Sequence, residues 1–452
     1  MKEMGGIGRW ALILLLLGNV YGGFAQDANT ARAQHIYELF VAGQGDSIHA
    51  ALNRELQEKL APALFNDSFR QAEKMFGKSI SKGEWKTDSA QGITIYYSDV
   101  EFERYNLRFL VAFDADGALN TIRLVPAPAV STAQPVAYDK TKMDERDITL
   151  GADGYKLPGT LTLPKRAVGP DACRVPCVIL VHGSGPHDRD ETIGPNKPFR
   201  DLAWGLAERG IAVVRYEKRT KAYGAACVPA GRELDYDTEA VDDAVAIVEQ
   251  VRALPELAPD SVYVLGHSLG GTLAPRIAGR SKGLAGIIIL AGLARSLEDA
   301  LEEQFYYTSS LTDSSVNVKV QLDELKQQLA NVKKLGTEEF DETISLPLGQ
   351  PCSYWLFANA YKPVEVAAKL KLPIFVLQGE RDYQVTMEDF GLWRSGLLRC
   401  KNAYFKSYPK LNHLLQEGSG KATPFEYNHA SPVPAYVMDD IASFVRCKQN
   451  TL

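Results

Sequence analysis

Residues 262–274, VYVLGHSLGGTLA, decide how the rest of the chain is read. A strand-type run meets a helix-type run at Ser268, with Gly266 and Gly270 two residues to either side. A serine hydroxyl is a poor nucleophile unless it is exposed and has a base beside it. A sharp strand-to-helix turn supplies the exposure but strains the serine. Side chains two residues before and after would then collide with the turn, so small residues are required there. The following helix also aims its free N–H groups at the reacting oxygen. The same pattern occurs by chance as a plain glycine-rich bend, but between VYVL and a helical run it is more specific. Ser268 is the candidate nucleophile, and the Leu269 N–H a candidate oxyanion donor.

Outward from this turn the chain alternates short apolar runs with helical patterns. CVILVHG (177–183), GIAVVRY (210–216), SVYVLGH (261–267), LAGIIILAG (284–292) and LPIFVLQGE (372–380) read as buried strands. PFRDLAWGLAERG (198–210) and TEAVDDAVAIVEQVRAL (238–254) read as helices between them. That alternation predicts a doubly wound, mostly parallel sheet covered on both faces, an α/β fold. RDITLGADGYKLPGTLTLP (146–164) opens it with a hairpin-like pair. Residues 293–366 break the rhythm with charged helical sequence and the aromatic cluster YWLFANAY. This reads as a helical cap over the carboxyl edge of the sheet.

Ligands of open α/β sheets lie beyond the carboxyl ends of the strands. In VILVHGSGPHDRDE (178–191) the glycine-rich loop lets backbone approach a substrate, and Ser184 N–H, or its neighbour Gly185, joins Leu269 as an oxyanion donor. Each such donor is worth about 2.7–4 kcal/mol in the transition state. His182 reads as structural. His187 and Arg189, with Asp188, Asp190 and Glu191, are either substrate contacts or a solvated, salt-bridged face. His267, beside the serine, is a further candidate contact. Asp382 follows a core strand in LPIFVLQGERDYQV, and His413 follows the next strand-like run in AYFKSYPKLNHLLQ. Each could be an ordinary loop residue. The chain has seven histidines, which restricts the choice of base; His429 is a late competitor.

Ser268, Asp382 and His413 stand in the chain order Ser…Asp…His, the order of an α/β-hydrolase and not that of the trypsin or subtilisin types. From about residue 145 to 447 the chain resembles that superfamily, in the branch of serine aminopeptidase-like and dienelactone-hydrolase-like esterases. LVHGSGPHDRDE, GIAVVRYEKRTKAYG, GHSLGG, QGERD and LNH carry the resemblance in the family's order. It implies an acyl-enzyme mechanism on small carboxylic esters, with no metal or organic cofactor. Peptidase, amidase and acyltransferase remain alternatives for the same triad. One departure is YEKRTKAYG (216–224), where many relatives have D-x-R-G. It puts Glu217, Lys218, Arg219 and Tyr223 near the active edge, with Tyr223 a candidate substrate contact.

The remaining segments are of another kind. Lys2 and Arg9, the short apolar run WALILLLLGNV and the small residues of GGFA read as a secretory signal peptide over 1–25, cut after Ala25, with an uncleaved anchor as the alternative. A periplasmic or secreted protein without a stable membrane span is the expectation. Residues 26–125 show helical periodicity and then period-two alternation with an Asp116-Gly117 turn, a small α+β unit. It resembles the small N-terminal domain, of cystatin-like or nuclear-transport-factor-like fold, of two-domain bacterial carboxylesterases. Dimerisation, wall association or shielding of the active edge are its candidate roles. Proline- and alanine-rich sequence over 126–144 reads as a linker to the catalytic unit, 145–452. The six cysteines are compatible with disulfides of undetermined pairing. A net charge of −6 without a basic stripe argues against nucleic acid as a partner.

Overall fold

The computed structural model describes residues 24–90, 93–103, 106–127, 138–152, 154–169, 172–311 and 316–447. The chain separates into two units, residues 1–129 and 130–452. Residues 1–23 of the leader expected over 1–25, and residues 128–137 of the linker expected over 126–144, lie outside the described residues. No described helix is long and apolar enough to cross a membrane.

In the first unit, helices α1 (Phe24–Val41), α2 (Gly45–Ala51), α3 (Arg54–Lys59), α4 (Ala63–Asn66) and α5 (Ser68–Phe76) precede an antiparallel sheet. Its strands are β1 (Ser79–Lys82), β2 (Lys86–Ala90), β3 (Ile93–Phe102), β4 (Asn106–Phe113) and β5 (Leu119–Pro126). Ala33, Ile36, Tyr37 and Phe40, spaced three and four apart, line the buried side of α1. Tyr37 and Phe40 meet Phe109 of β4 with ring centroids 5.2 Å apart. Between β4 and β5, Gly117 takes φ 78° and the Asp114 carboxylate accepts from Asp116 N and Ala118 N, which sets the hairpin turn.

The second unit holds an eight-stranded sheet. Its strands are β6 (Met143–Leu150), β7 (Leu157–Pro164), β8 (Val175–Val181), β9 (Ala212–Tyr216), β10 (Leu257–His267), β11 (Gly286–Leu290), β12 (Ile374–Gly379) and β13 (Ala403–Tyr408). Their spatial order is β13-β12-β11-β10-β8-β9-β7-β6. All pairs from β13 to β9 are parallel, while β7 runs antiparallel to both β9 and β6. Unbroken apolar runs are needed because alternate residues feed two cores. Cys177, Ile179 and Val181 of β8, with Val262 and Val264 of β10, enter one. Val178 and Leu180, with Tyr263 and Leu265, enter the other.

Helices cover both faces. α6 (Pro198–Glu208) and α15 (Ala435–Cys447) pack on one. On the other lie α8 (Asp242–Arg252), α9 (Leu269–Arg280) and α14 (Met387–Gly396); a short α7 (Arg219–Tyr223) follows β9. The insertion between β11 and β12 is helical: α10 (Leu297–Ser310), α11 (Val316–Val332), α12 (Cys352–Ala360) and α13 (Pro363–Ala368). Its last helix is not cap, because α13 packs on α9 and α14. Cys173, Cys177, Cys227, Cys352 and Cys400 are free thiols. Cys177 is a fully buried strand residue pointing into a core, which explains a cysteine there without a disulfide.

The chain runs from β8 to β9 on one side, then returns to place β10 on the other. The carboxyl ends of β8 and β10 therefore open a crevice where the connections diverge, the position at which such sheets bind ligands.

Candidate active site

Ser268 sits at that crevice, between β10 and α9, with φ 53° and ψ −118°. This conformation costs an L-residue on the order of 1–3 kcal/mol. Ser268 N–H donates to Leu290 O of β11 at 2.9 Å, and Ser268 O accepts from Thr272 N at 3.0 Å, so the turn is held from both sides. The glycines flanking it are there for space. A Cβ on Gly266 would lie 2.0 Å from Gly270 O, and one on Gly270 2.2 Å from Val181 O. Ser268 is half-buried, and its Oγ makes no hydrogen bond among the described residues.

The loop after β8 lies against this serine. A Cβ on Gly183 would be 3.1 Å from Ser268 Cβ and 3.6 Å from its Oγ. Gly183 N–H donates to Glu191 Oε1 at 2.7 Å, and His187 Nε2 donates to Ser184 O at 2.7 Å. Ser184 N–H and Leu269 N–H have no partner among the described residues.

From the other side of the crevice come Asp382, after β12, and His413, after β13. His413 Nδ1 donates to Asp382 Oδ2 at 2.7 Å, both side chains being buried. Asp382 Oδ1 accepts from Gln384 N at 2.8 Å and Val385 N at 3.1 Å. Gln378 Nε2 donates to Oδ2 at 3.1 Å. A carboxylate this well supplied with donors has one place to point, toward the imidazole. Asn412 builds the histidine loop, its Oδ1 accepting from Leu414 N and Gln416 N at 3.0 Å each.

His267 joins these halves. Its Nδ1 faces Glu191 Oε2 at 2.8 Å and its Nε2 faces His413 O at 2.9 Å. Two oxygen acceptors flank one ring, so the Glu191–His267 pair holds one proton more than a neutral imidazole carries. Burial would lower the His267 pKa, and the Glu191 carboxylate outweighs it, so the net direction is upward. Burial would likewise raise Glu191; His267, with His187 and His182, instead holds it down to about 2. Glu191 takes a left-handed φ of 52° to reach this position.

The structure does not bring every predicted residue to the crevice. His267 is no open substrate contact, being 4% exposed with both nitrogens engaged. Arg189 is turned to Glu217, Asp147, Gly159 O and Thr160, and Tyr223 OH is bound to the backbone of Lys156. Arg219 forms a buried two-point pair with Asp243. His187 belongs to the glycine loop through Ser184 O. His182 is buried, its Nε2 donating to Asp188 O at 3.0 Å, and desolvation lowers it to about 3. His429 is exposed. Sequence reading missed the part played by Glu191, Gln378 and Asn412. Each lies inside a quoted motif, but which polar residue turns inward is not written in the order of letters.

A cavity of about 270 Å³ lies between cap helices α10 and α11 and the turn after β12. Leu301, Gln304, Phe305, Thr308, Tyr383 and Gln384 line it.

An eight-stranded mixed sheet with a strained serine after β10, and the aspartate–histidine pair after the next strands, define an α/β-hydrolase. Residues 175–417 match the family model described as serine aminopeptidase, S33, and residues 33–121 match one described as a protein of unknown function (DUF3887). The chain is 37% identical over 351 residues to esterase EstD of Thermotoga maritima, covering 78% of this chain and 79% of that one. It thus belongs to the serine aminopeptidase S33 family of α/β-hydrolases, and its kinship with EstD supports a carboxylic ester hydrolase. Among solved structures it is similar to Est1E from Butyrivibrio proteoclasticus, at 16% identity and TM-score 0.43, covering 68% of this chain and 99% of that one. An esterase from Pyrococcus furiosus is similar at 14% identity and TM-score 0.43, covering 71% and 97%.

Proposed function

We propose that this chain hydrolyses small carboxylic esters through an acyl-enzyme on Ser268. His413 takes the hydroxyl proton as Ser268 Oγ attacks the acyl carbon. Asp382 holds the imidazole with its Nδ1–H toward the carboxylate and Nε2 toward the serine, and stabilises the imidazolium that forms. Ser184 N–H and Leu269 N–H receive the tetrahedral oxyanion. The imidazolium returns its proton to the departing alcohol; water, deprotonated by the same imidazole, then attacks the acyl-enzyme and releases the acid. The observation that carries this reading is the 2.7 Å contact between His413 Nδ1 and Asp382 in the crevice that holds a strained serine.

The cavity beside Tyr383 is the proposed seat of one of the ester's two groups, and its volume suits a small one. An ester is favoured over a free peptide amino terminus because Glu191, the carboxylate packed on the glycine loop, is spent on Gly183 N–H and His267. Export to the periplasm or beyond is part of the proposal, resting on the leader pattern over 1–25. The test is Ser268→Ala with p-nitrophenyl acetate and an aminoacyl anilide. Ester turnover is expected to fall on the order of 10⁴–10⁶-fold with the circular dichroism unchanged. Wild-type turnover in that variant refutes the assignment, and anilide cleavage outpacing ester cleavage in the wild type replaces the esterase reading with the peptidase one.

A further inference from the structure

The buried pair of Lys218 and Glu239 takes no part in the chemistry above, yet it lies against the glycine loop. Lys218 follows β9, and Glu239 sits on a π-helical turn, Asp237–Val241, that leads into α8. Their side chains are 3% and 5% exposed. Lys218 Nζ donates to the Glu239 carboxylate and, at 2.7 Å, to the carbonyl oxygen of Gly183. A buried ion pair is weak support for stability, because desolvating two charges offsets most of their attraction. Its consequence lies in the carbonyl it holds.

Gly183 O and Ser184 N–H belong to one peptide unit. That unit is planar and trans, so its C=O and N–H point in opposite directions. Anchoring the carbonyl on Lys218 therefore aims the Ser184 N–H away from the pair. The anchor is charge-assisted, roughly twice as strong as a neutral hydrogen bond. Hydrogen bonding at the carbonyl polarises the unit and strengthens its N–H as a donor, by roughly 10–30% per bond. Glu191 holds the other side of Gly183 through its N–H, and His187 holds Ser184 O. What stays unpartnered between these anchors is the Ser184 N–H.

The geometry points to Lys218 as a positioning residue of the oxyanion hole, acting through the Gly183–Ser184 peptide to aim and polarise the Ser184 N–H. Glu239 keeps the ammonium in place. The sequence put Lys218 near the active edge without assigning it a role; the structure turns it to the Gly183 carbonyl of the glycine loop. This inference rests on the acyl-transfer reading proposed above.

An aryl trifluoromethyl ketone isolates the effect. Ser268 Oγ adds to its carbonyl carbon, the hydroxyl proton passes to His413, and the carbonyl electron pair becomes a hemiketal oxyanion in the hole. Wild type and Ser268→Ala come first: a wild-type enzyme that does not bind the ketone overturns the acyl-transfer reading and this inference with it. The double variant Lys218→Met, Glu239→Gln removes the anchor without leaving a buried charge. Ketone affinity and kcat are expected to fall together by about 10–100-fold, part of the 10²–10³ that a whole donor is worth, with ester KM unchanged. Glu239→Gln alone, which keeps the donor, is expected to lose less. A folded double variant with wild-type ketone affinity overturns the proposal, and so does an equal loss in both variants. If the double variant does not fold, Lys218→Gln replaces it. That side chain is too short to hold Gly183 O, and wild-type ketone affinity there is equally fatal.

Discussion

Ser268 keeps a conformation that an isolated L-residue leaves, and two glycines make it possible. Gly266→Ala drives a methyl into the Gly270 carbonyl, which is backbone and cannot swing aside. The expected loss is about 3 kcal/mol, the upper end of overpacking costs, and a wild-type urea midpoint contradicts it. Asp382→Asn keeps the shape of the site but favours the wrong imidazole tautomer. Turnover should drop on the order of 10⁴-fold while the serine still reacts slowly with a fluorophosphonate. Glu191→Gln tests the other histidine. The folded pKa of His267 is raised, so its contribution is complete below the ordinary value of 6.5 and is lost as pH rises through the folded value. Glu191 is depressed, so its contribution is present above 4.5 and is lost as pH falls toward about 2. The stability gap between wild type and Glu191→Gln should be widest between those limits, about 3 kcal/mol, and narrow on both sides. Equal gaps across the pH range in urea titrations contradict the coupling of these two groups.

At the scale of elements, the site is a product of strand ends. β8, β10, β12 and β13 each end in a loop that delivers one part: the glycine loop, Ser268, Asp382 and His413. The cap differs, since α10 and α11 line the cavity beside Tyr383 and supply none of these parts. Phe305→Ala in α10 enlarges that cavity without touching Ser268, Asp382 or His413. Preference is expected to shift toward longer acyl chains, by about 10-fold or more in the ratio of kcat/KM for hexanoate over acetate esters. An unchanged ratio places the acyl group elsewhere. The central strands were legible because their apolar runs feed two cores at once, and the flanking helices because their apolar residues recur at helical spacing on one face. The end of the cap was not: only the packing of α13 on α9 and α14 assigns it to the helical layer that covers the sheet.

For the whole molecule, each unit carries its own core, and the sheet of the second is complete without the first. The segment from residue 138 onward is expected to fold alone and retain ester turnover, measured beside the full chain with oligomeric state read by light scattering. Loss of fold or activity assigns the first unit a structural or shielding role, and a change of oligomer alone assigns it dimerisation. Export predicts a mature chain beginning at Gln26, which intact mass of the secreted protein reads directly; an unprocessed start at Met1 removes the leader from the argument.

By itself, the sequence determined the alternation of strands and helices, the serine between its glycines, and the order Ser, Asp, His. Those depend on local rules, namely which residues suit a buried strand and which fit a tight turn. Tertiary structure decided which polar residues face each other. Arg189, Tyr223 and Arg219 read as active-edge residues, yet their charges and hydroxyl are taken up by Glu217, the Lys156 backbone and Asp243. His267 read as a substrate contact, Lys218 as an active-edge residue and Glu191 as substrate contact or salt-bridged face, yet they anchor the glycine loop and the histidine loop. A buried charge must find its partner across the fold, from residues up to 146 positions away in the case of His267 and His413. No pattern of neighbours along the chain encodes that pairing.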